Sequence, residues 1–192
     1  MTDCLSSSPS TEGRHPMKTL ILTLALLLST PVAFAADAKK ADAADAIMMV
    51  ATPDFAKTVM SSDQFEIQSS EMAEKKAEAA DVKTFAAQMI KDHTKAEADL
   101  KAALGKGDAA APSAPELAPK HAAMLKQLEA TEGADFQTLY IDMQAQAHME
   151  AVALFRNYAG SGDDKAVVAF AKETLPTLEM HMMHVKELVK AH

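Results

Sequence analysis

Four long stretches in which apolar residues return every three or four positions govern what this chain can fold into. The first runs from about Pro53 to Ala79 and carries Phe55, Val59, Ser62, Glu66, Ser69, Ala73 and Ala77 on one face. The second, from Asp81 to Leu104, carries Val82, Phe85, Met89, His93, Ala96, Leu100 and Leu104. The third, from Asp135 to Ala159, carries Phe136, Tyr140, Met143, Ala147, Ala151, Leu154 and Tyr158. The fourth, from Asp163 or Asp164 to about Lys190, carries Val167, Ala171, Leu178, His181, Val185 and Leu188. This recurrence is the helical period, one stripe at about 100° per residue. No strand-like alternation of useful length competes with it. Alanine is abundant while glycine (6) and proline (8) are sparse, which also favours helix.

The punctuation agrees. Thr52 and Pro53 predict an N-cap and first turn, and Gly105 and Gly107 stop the second stretch. Gly160 and Gly162 close the third, and Pro176 predicts a kink in the fourth. Between the second and third stretches lies a Pro/Ala loop over 108–119, followed by a short helical piece from Lys120 to Ala130 that ends near Gly133. Four long helices joined mainly by short turns predict an all-α, antiparallel four-helix bundle over 53–191, with an extra short helix between the second and third. A chain of 192 residues leaves room for one such domain.

The N-terminal part reads differently. Residues 17–35 combine a positive Lys18, an apolar run from Leu20 to Leu28, and the small-x-small string Ala33-Phe34-Ala35. That is the three-part pattern of a cleavable secretory signal, with cleavage expected after Ala35. A membrane anchor needs about 20 apolar residues, roughly twice what is here, and Pro31 follows the run. Residues 1–16 are polar, so Met17 is the expected start and 1–16 an extension of the gene reading. The single cysteine, Cys4, lies there, which leaves the mature chain without a disulfide, a thiol nucleophile or a lipidated cysteine. Residues 36–52 read as a polar linker. A soluble periplasmic protein is the expectation, with no membrane span in its mature part. The net charge of −8 argues against a nucleic-acid partner.

The chemistry lies in the residues that interrupt the stripes. Glu66, His93, His148 and His181 each place one ionisable side chain on the inward face of one long helix, with Asp92 at the edge of the second. An unpaired charge in the interior costs several kcal/mol, so these groups must meet one another, water or a metal. Counted from Ala80, Glu66 and His93 sit at nearly equal height. Counted from Ser161, His148 and His181 differ by about 10 Å at 1.5 Å per residue. On that count the four meet only if the turn and the Pro176 kink absorb the offset; otherwise His181 pairs near the level of Tyr140.

A carboxylate with two or three imidazoles suits Fe, Zn, Mn or Cu. A hydrogen-bonded polar layer that fixes helix packing explains the same residues without a metal. Both readings stand at this point. The Glu-x-x-His motif of di-iron carboxylate bundles is missing from the mature chain, which disfavours that oxygen chemistry. The string Glu179-Met180-His181-Met182-Met183-His184 offers thioether and imidazole ligands for soft copper, with His184 a further candidate ligand beside His181. On a helix, however, Met182 turns inward with Val185 while Met180 and Met183 share another side. Gly-x-Ser-x-Gly and phosphate-binding glycine loops are absent, so no enzyme class is indicated. His121 and His192 read as surface residues.

The segments DFAKTVMSSDQFEIQSSEMAEKKA (54–77) and ADVKTFAAQMIKDHTKAEADL (80–100) carry a resemblance, as do Tyr140…Gln144…His148 and FAKETLPTLEMH (170–181). Together they resemble the exported bacterial family called domain of unknown function 4142, over about Asp54 to Leu188. The resemblance implies a ferritin-like bundle, an exported or outer-membrane-associated protein, and no established reaction; an envelope protein or a second copy of the chain are the partners it leaves open. Its pattern falls on Glu66, Asp92, His93, His148 and His181, with Met149 standing where an acidic residue is expected.

Overall fold

The computed structural model describes residues 49–107 and 116–192. The expected signal, Cys4, most of the linker and part of the Pro/Ala loop lie outside the described residues. Five helices follow in order: α1 (Thr52–Lys76), α2 (Ala80–Leu104), α3 (Pro119–Glu129), α4 (Gly133–Ser161) and α5 (Lys165–Ala191). No strand occurs among the described residues, and none of their helices is long and apolar enough to cross a membrane.

Local chemistry sets the ends. Asp164 caps α5, its carboxylate accepting from the amides of Ala166 (2.8 Å) and Val167 (3.1 Å). α5 continues through Pro176, the residue that cannot donate to the helical ladder. α4 begins two residues earlier than its stripe implies because Gly133 takes a left-handed turn (φ 59°), open to a residue without Cβ. Thr52 is not the N-cap of α1; Ala51 is. Thr52 instead binds Asp163 and the Tyr158 hydroxyl, which ties the start of α1 to the α4–α5 reversal.

α1 packs along α2 and α4 along α5; the two pairs meet where α2 touches α5 and α1 touches α4, and α3 lies on α1 and α4. α3 also explains why α1 is buried more widely than its stripe suggests. Phe65, off that stripe, is fully buried and stacks on His121 of α3 at 5.4 Å. His121 is therefore buried, contrary to the surface position expected, and its Nδ1 meets the Ser61 hydroxyl at 2.7 Å. The sequence of α3 gave no sign of this, because burial there depends on which helix it docks against.

The core divides in two. One apolar cluster gathers Phe55, Val59, Leu100, Phe155, Tyr158, Val167 and Leu178. The other gathers Phe65, Phe85, Met89, Phe136, Tyr140, Val185 and Leu188. Each long helix brings buried ionisable residues close to the junction of the two clusters: Asp63 and Glu66 on α1, His93 on α2, His148 on α4 and His181 on α5.

Candidate metal centre

Three imidazoles converge between the clusters. One ring nitrogen each from His93, His148 and His181 lies within 4.8 Å of the other two. The ring centroids are 5.6 Å (His93–His148), 5.7 Å (His93–His181) and 5.3 Å (His148–His181) apart. Glu66 lies beside the group but outside the three converging nitrogens: its Oε1 is 3.8 Å from His148 Nδ1, the nitrogen that faces the Gln144 carbonyl. All four side chains are buried. His181 therefore sits with His148 and not at the level of Tyr140. The 10 Å offset came from counting at Ser161, which is still inside α4; the reversal centres on Asp163, and about that point the offset falls to about 4.5 Å.

Each ring is held from behind. His93 Nδ1 meets the Asp63 carboxylate at 2.8 Å, His148 Nδ1 the backbone carbonyl of Gln144 at 2.9 Å, and His181 Nε2 the Asp92 carboxylate at 2.9 Å. In a neutral imidazole, a nitrogen that donates its proton to such an acceptor leaves the other ring nitrogen with a lone pair. Those others are His93 Nε2, His148 Nε2 and His181 Nδ1. All three are buried without a partner, as is Glu66 Oε2. Buried polar atoms are rarely left unpaired, and a group of them in one place asks for an explanation.

Burial sets the electrostatics. It lifts the Glu66 carboxyl to about 7, against the pull of charged His93 and the Gln144 amide. Burial and then repulsion from His93 drive the His148 imidazole down to about 3, so that ring is neutral at ordinary pH. His181 is lowered by burial too, although Asp92 opposes the shift. For His93 burial also works downward, but the bond to Asp63 and the charges of Asp63, Glu66 and Asp92 outweigh it and raise the ring. Burial raises Asp63 against the opposing hydrogen bond and charge of His93.

The donor set fits a transition-metal ion. Three points no more than 4.8 Å apart have a common centre within about 2.8 Å of each, against roughly 2.0–2.1 Å for a zinc–imidazole bond. Small ring movements close that gap. Acceptors behind ligating imidazoles are the usual supporting arrangement at protein metal sites. Asp92 takes that supporting position. Asp63, which lies off the apolar stripe of α1, takes the same one. Counted from Glu78, the centre of the α1–α2 reversal, Asp63 and His93 are level; counting from Ala80 hid this.

His184 is not part of the convergence. Its ring packs edge-on against Phe85 at 5.1 Å. Met180 and Met183 are exposed, and Met182 packs against the Leu178 cluster.

The chain belongs to the family described as domain of unknown function (DUF4142), which matches residues 36–188. No curated protein matches it. Among solved structures it is similar to a DUF305 fragment from Deinococcus radiodurans, with a TM-score of 0.63 and 13% identity over 73% of this chain and 96% of that one. It is also similar to CopM in its Cu(II)-bound form, with a TM-score of 0.63 and 18% identity over 75% of this chain and 99% of that one. At such identities the likeness speaks for the helical fold alone.

Proposed function

We propose that this is an exported periplasmic protein whose four long helices form an antiparallel, ferritin-like bundle around one transition-metal ion. His93, His148 and His181 supply nitrogen ligands and Glu66 a carboxylate oxygen, with Asp63 and Asp92 orienting two of the rings. The order in which the helices meet the two apolar clusters supports the bundle. α1 and α5 pass from the Phe55 cluster to the Phe85 cluster, α2 and α4 the other way. The link from α2 to α4 must then run back along the bundle, the one long crossover of ferritin-like folds, and α3 lies in it. The export reading rests on residues 17–35.

One observation carries the metal reading: three unpaired imidazole nitrogens in one buried place, each backed by an acceptor on its other nitrogen. Imidazoles with one carboxylate suit Zn, Fe, Mn or Cu, and a metal ion would displace any proton from the ligating nitrogen of His93. CopM, similar in fold, is a protein whose structure holds Cu(II), which is compatible with this reading. The reading is of a binder, with no reaction assigned.

A second reading has its own support. The contacts of His93 to Asp63 and His181 to Asp92, with Gln144 to Ser69 (3.1 Å) and Ser70 to Tyr140 (2.8 Å), make a polar layer that ties helices together without an ion. Elemental analysis of protein purified from the periplasm separates the two. The metal reading expects about one equivalent in the wild type and none in a Glu66→Ala/His93→Ala variant. Metal-free wild-type protein at neutral pH contradicts it.

A further inference from the structure

Beside the histidine cluster lies a cavity of about 180 Å³ that the metal reading does not use. Val59, Ala151, Phe155 and Leu178 form its walls, Asp63 and His93 belong to its inner lining, and Thr58 and Glu150 are exposed residues at its rim. Folded interiors are close-packed, with few voids larger than a water molecule. This one persists because small residues stand where larger ones would fill it: Ala147 and Ala151, one turn apart on α4, and Ala96 on α2. A leucine at one of these positions would occupy much of the space.

The size and lining select a ligand class. An apolar cavity of about 150 Å³ in another protein takes up benzene, so this one admits a single ring or a hydrocarbon of like size. A charged ligand is disfavoured, because burying it against apolar walls is costly. Asp63 is the buried carboxylate of the lining, in which Ser62, His93, His121 and Thr174 are polar as well. Its Oδ1 is engaged by His93, while Oδ2 has no partner. A carboxylate oxygen there accepts from a donor and offers nothing to a carbonyl or an anion.

We propose that this cavity binds a small uncharged molecule with an apolar body the size of one aromatic ring and a single hydroxyl or N–H directed to Asp63. The proposal rests on the cavity and on Asp63, and it stands apart from whether the histidines hold a metal.

Phenol is the probe, with full-length mature protein treated with chelator so that metal plays no part. Calorimetric titration should show saturable binding. A phenol concentration tenfold above its Kd should raise the melting midpoint by about 2–5 °C, and the His93 ring resonances should shift with the same isotherm. Toluene should bind several-fold more weakly and benzoate not at all. Ala151→Leu should weaken phenol at least tenfold while leaving the midpoint of the free protein unchanged or higher; Ala96→Leu fills the same space if the first variant folds poorly. No phenol binding, undiminished binding in both filled variants, or benzoate binding as well as phenol would overturn the proposal.

Discussion

The two apolar clusters and the polar layer at their junction are built from the same four helices, yet they differ in what they lack. In the cluster around Phe55 the rings satisfy one another: Phe55 stacks on Tyr158 at 3.9 Å and meets Phe155 edge-on at 5.2 Å. Among the described residues, no buried polar atom of that cluster is unpaired. In the layer, six buried polar atoms are unpaired, from Asp63, Glu66, His93, Gln144, His148 and His181. The clusters are satisfied by their own contacts, whereas the layer keeps buried polar atoms without partners, which costs stability.

The contrast can be broken or sharpened by substitution. The largest effect should come from the clusters. Phe55→Ala is expected to destabilise by about 3–5 kcal/mol, equally with metal or with chelator, as read by denaturant unfolding. A loss that depends on metal would erase the distinction between the regions.

Next comes Glu66→Gln in metal-free protein. The folded carboxyl, at about 7, holds its proton more tightly than the ordinary value of 4.5. As pH rises from 4.5 to 7 the unfolded chain ionises first, so this group's contribution to stability falls and reaches its full cost above pH 7. The glutamine variant escapes that cost. It should match wild type near pH 4 and exceed it at pH 8 by up to about 3 kcal/mol, while binding metal more weakly. Unfolding curves at the two pH values test this; no gain at pH 8 would mean that the carboxylate is not desolvated as described.

Asp63→Asn and Asp92→Asn should act more mildly, through the rings they hold. Each is expected to lower metal affinity by about 10–100-fold while one equivalent still binds at saturation. Competition with a chromophoric chelator reads the change. An unchanged affinity would remove these carboxylates from the site's support.

The smallest effect should be Asp164→Ala, which removes the α5 cap. About 1 kcal/mol of stability should be lost, with metal affinity unaltered, because the cap lies far along the chain from His181.

These residues also show how much the sequence made legible. The four long helices could be read because stripes such as Val82–Phe85–Met89 and Val167–Ala171–Leu178 follow a period that local geometry imposes. Glu66, His93, His148 and His181 could be read as inward for the same reason. Asp63 could not, since it lies off the stripe centre and its role depends on being level with His93 across the α1–α2 reversal. His121 was misplaced because docking of α3 on α1 is a tertiary event with no periodic signature. The short piece around His121 has no stripe long enough to show which face is covered. His184, three residues from His181, was legible as a neighbour on the helix, but Phe85 and not the cluster receives it.

The most direct measurement is the nitrogen NMR of the histidine rings, followed as zinc is added to chelator-treated protein. His93 Nε2, His148 Nε2 and His181 Nδ1 should shift together and saturate at one equivalent. The other nitrogen of each ring should stay protonated against Asp63, the Gln144 carbonyl and Asp92. If zinc leaves those three nitrogens unmoved, or shifts His121, His184 or His192 in their place, the central claim is wrong.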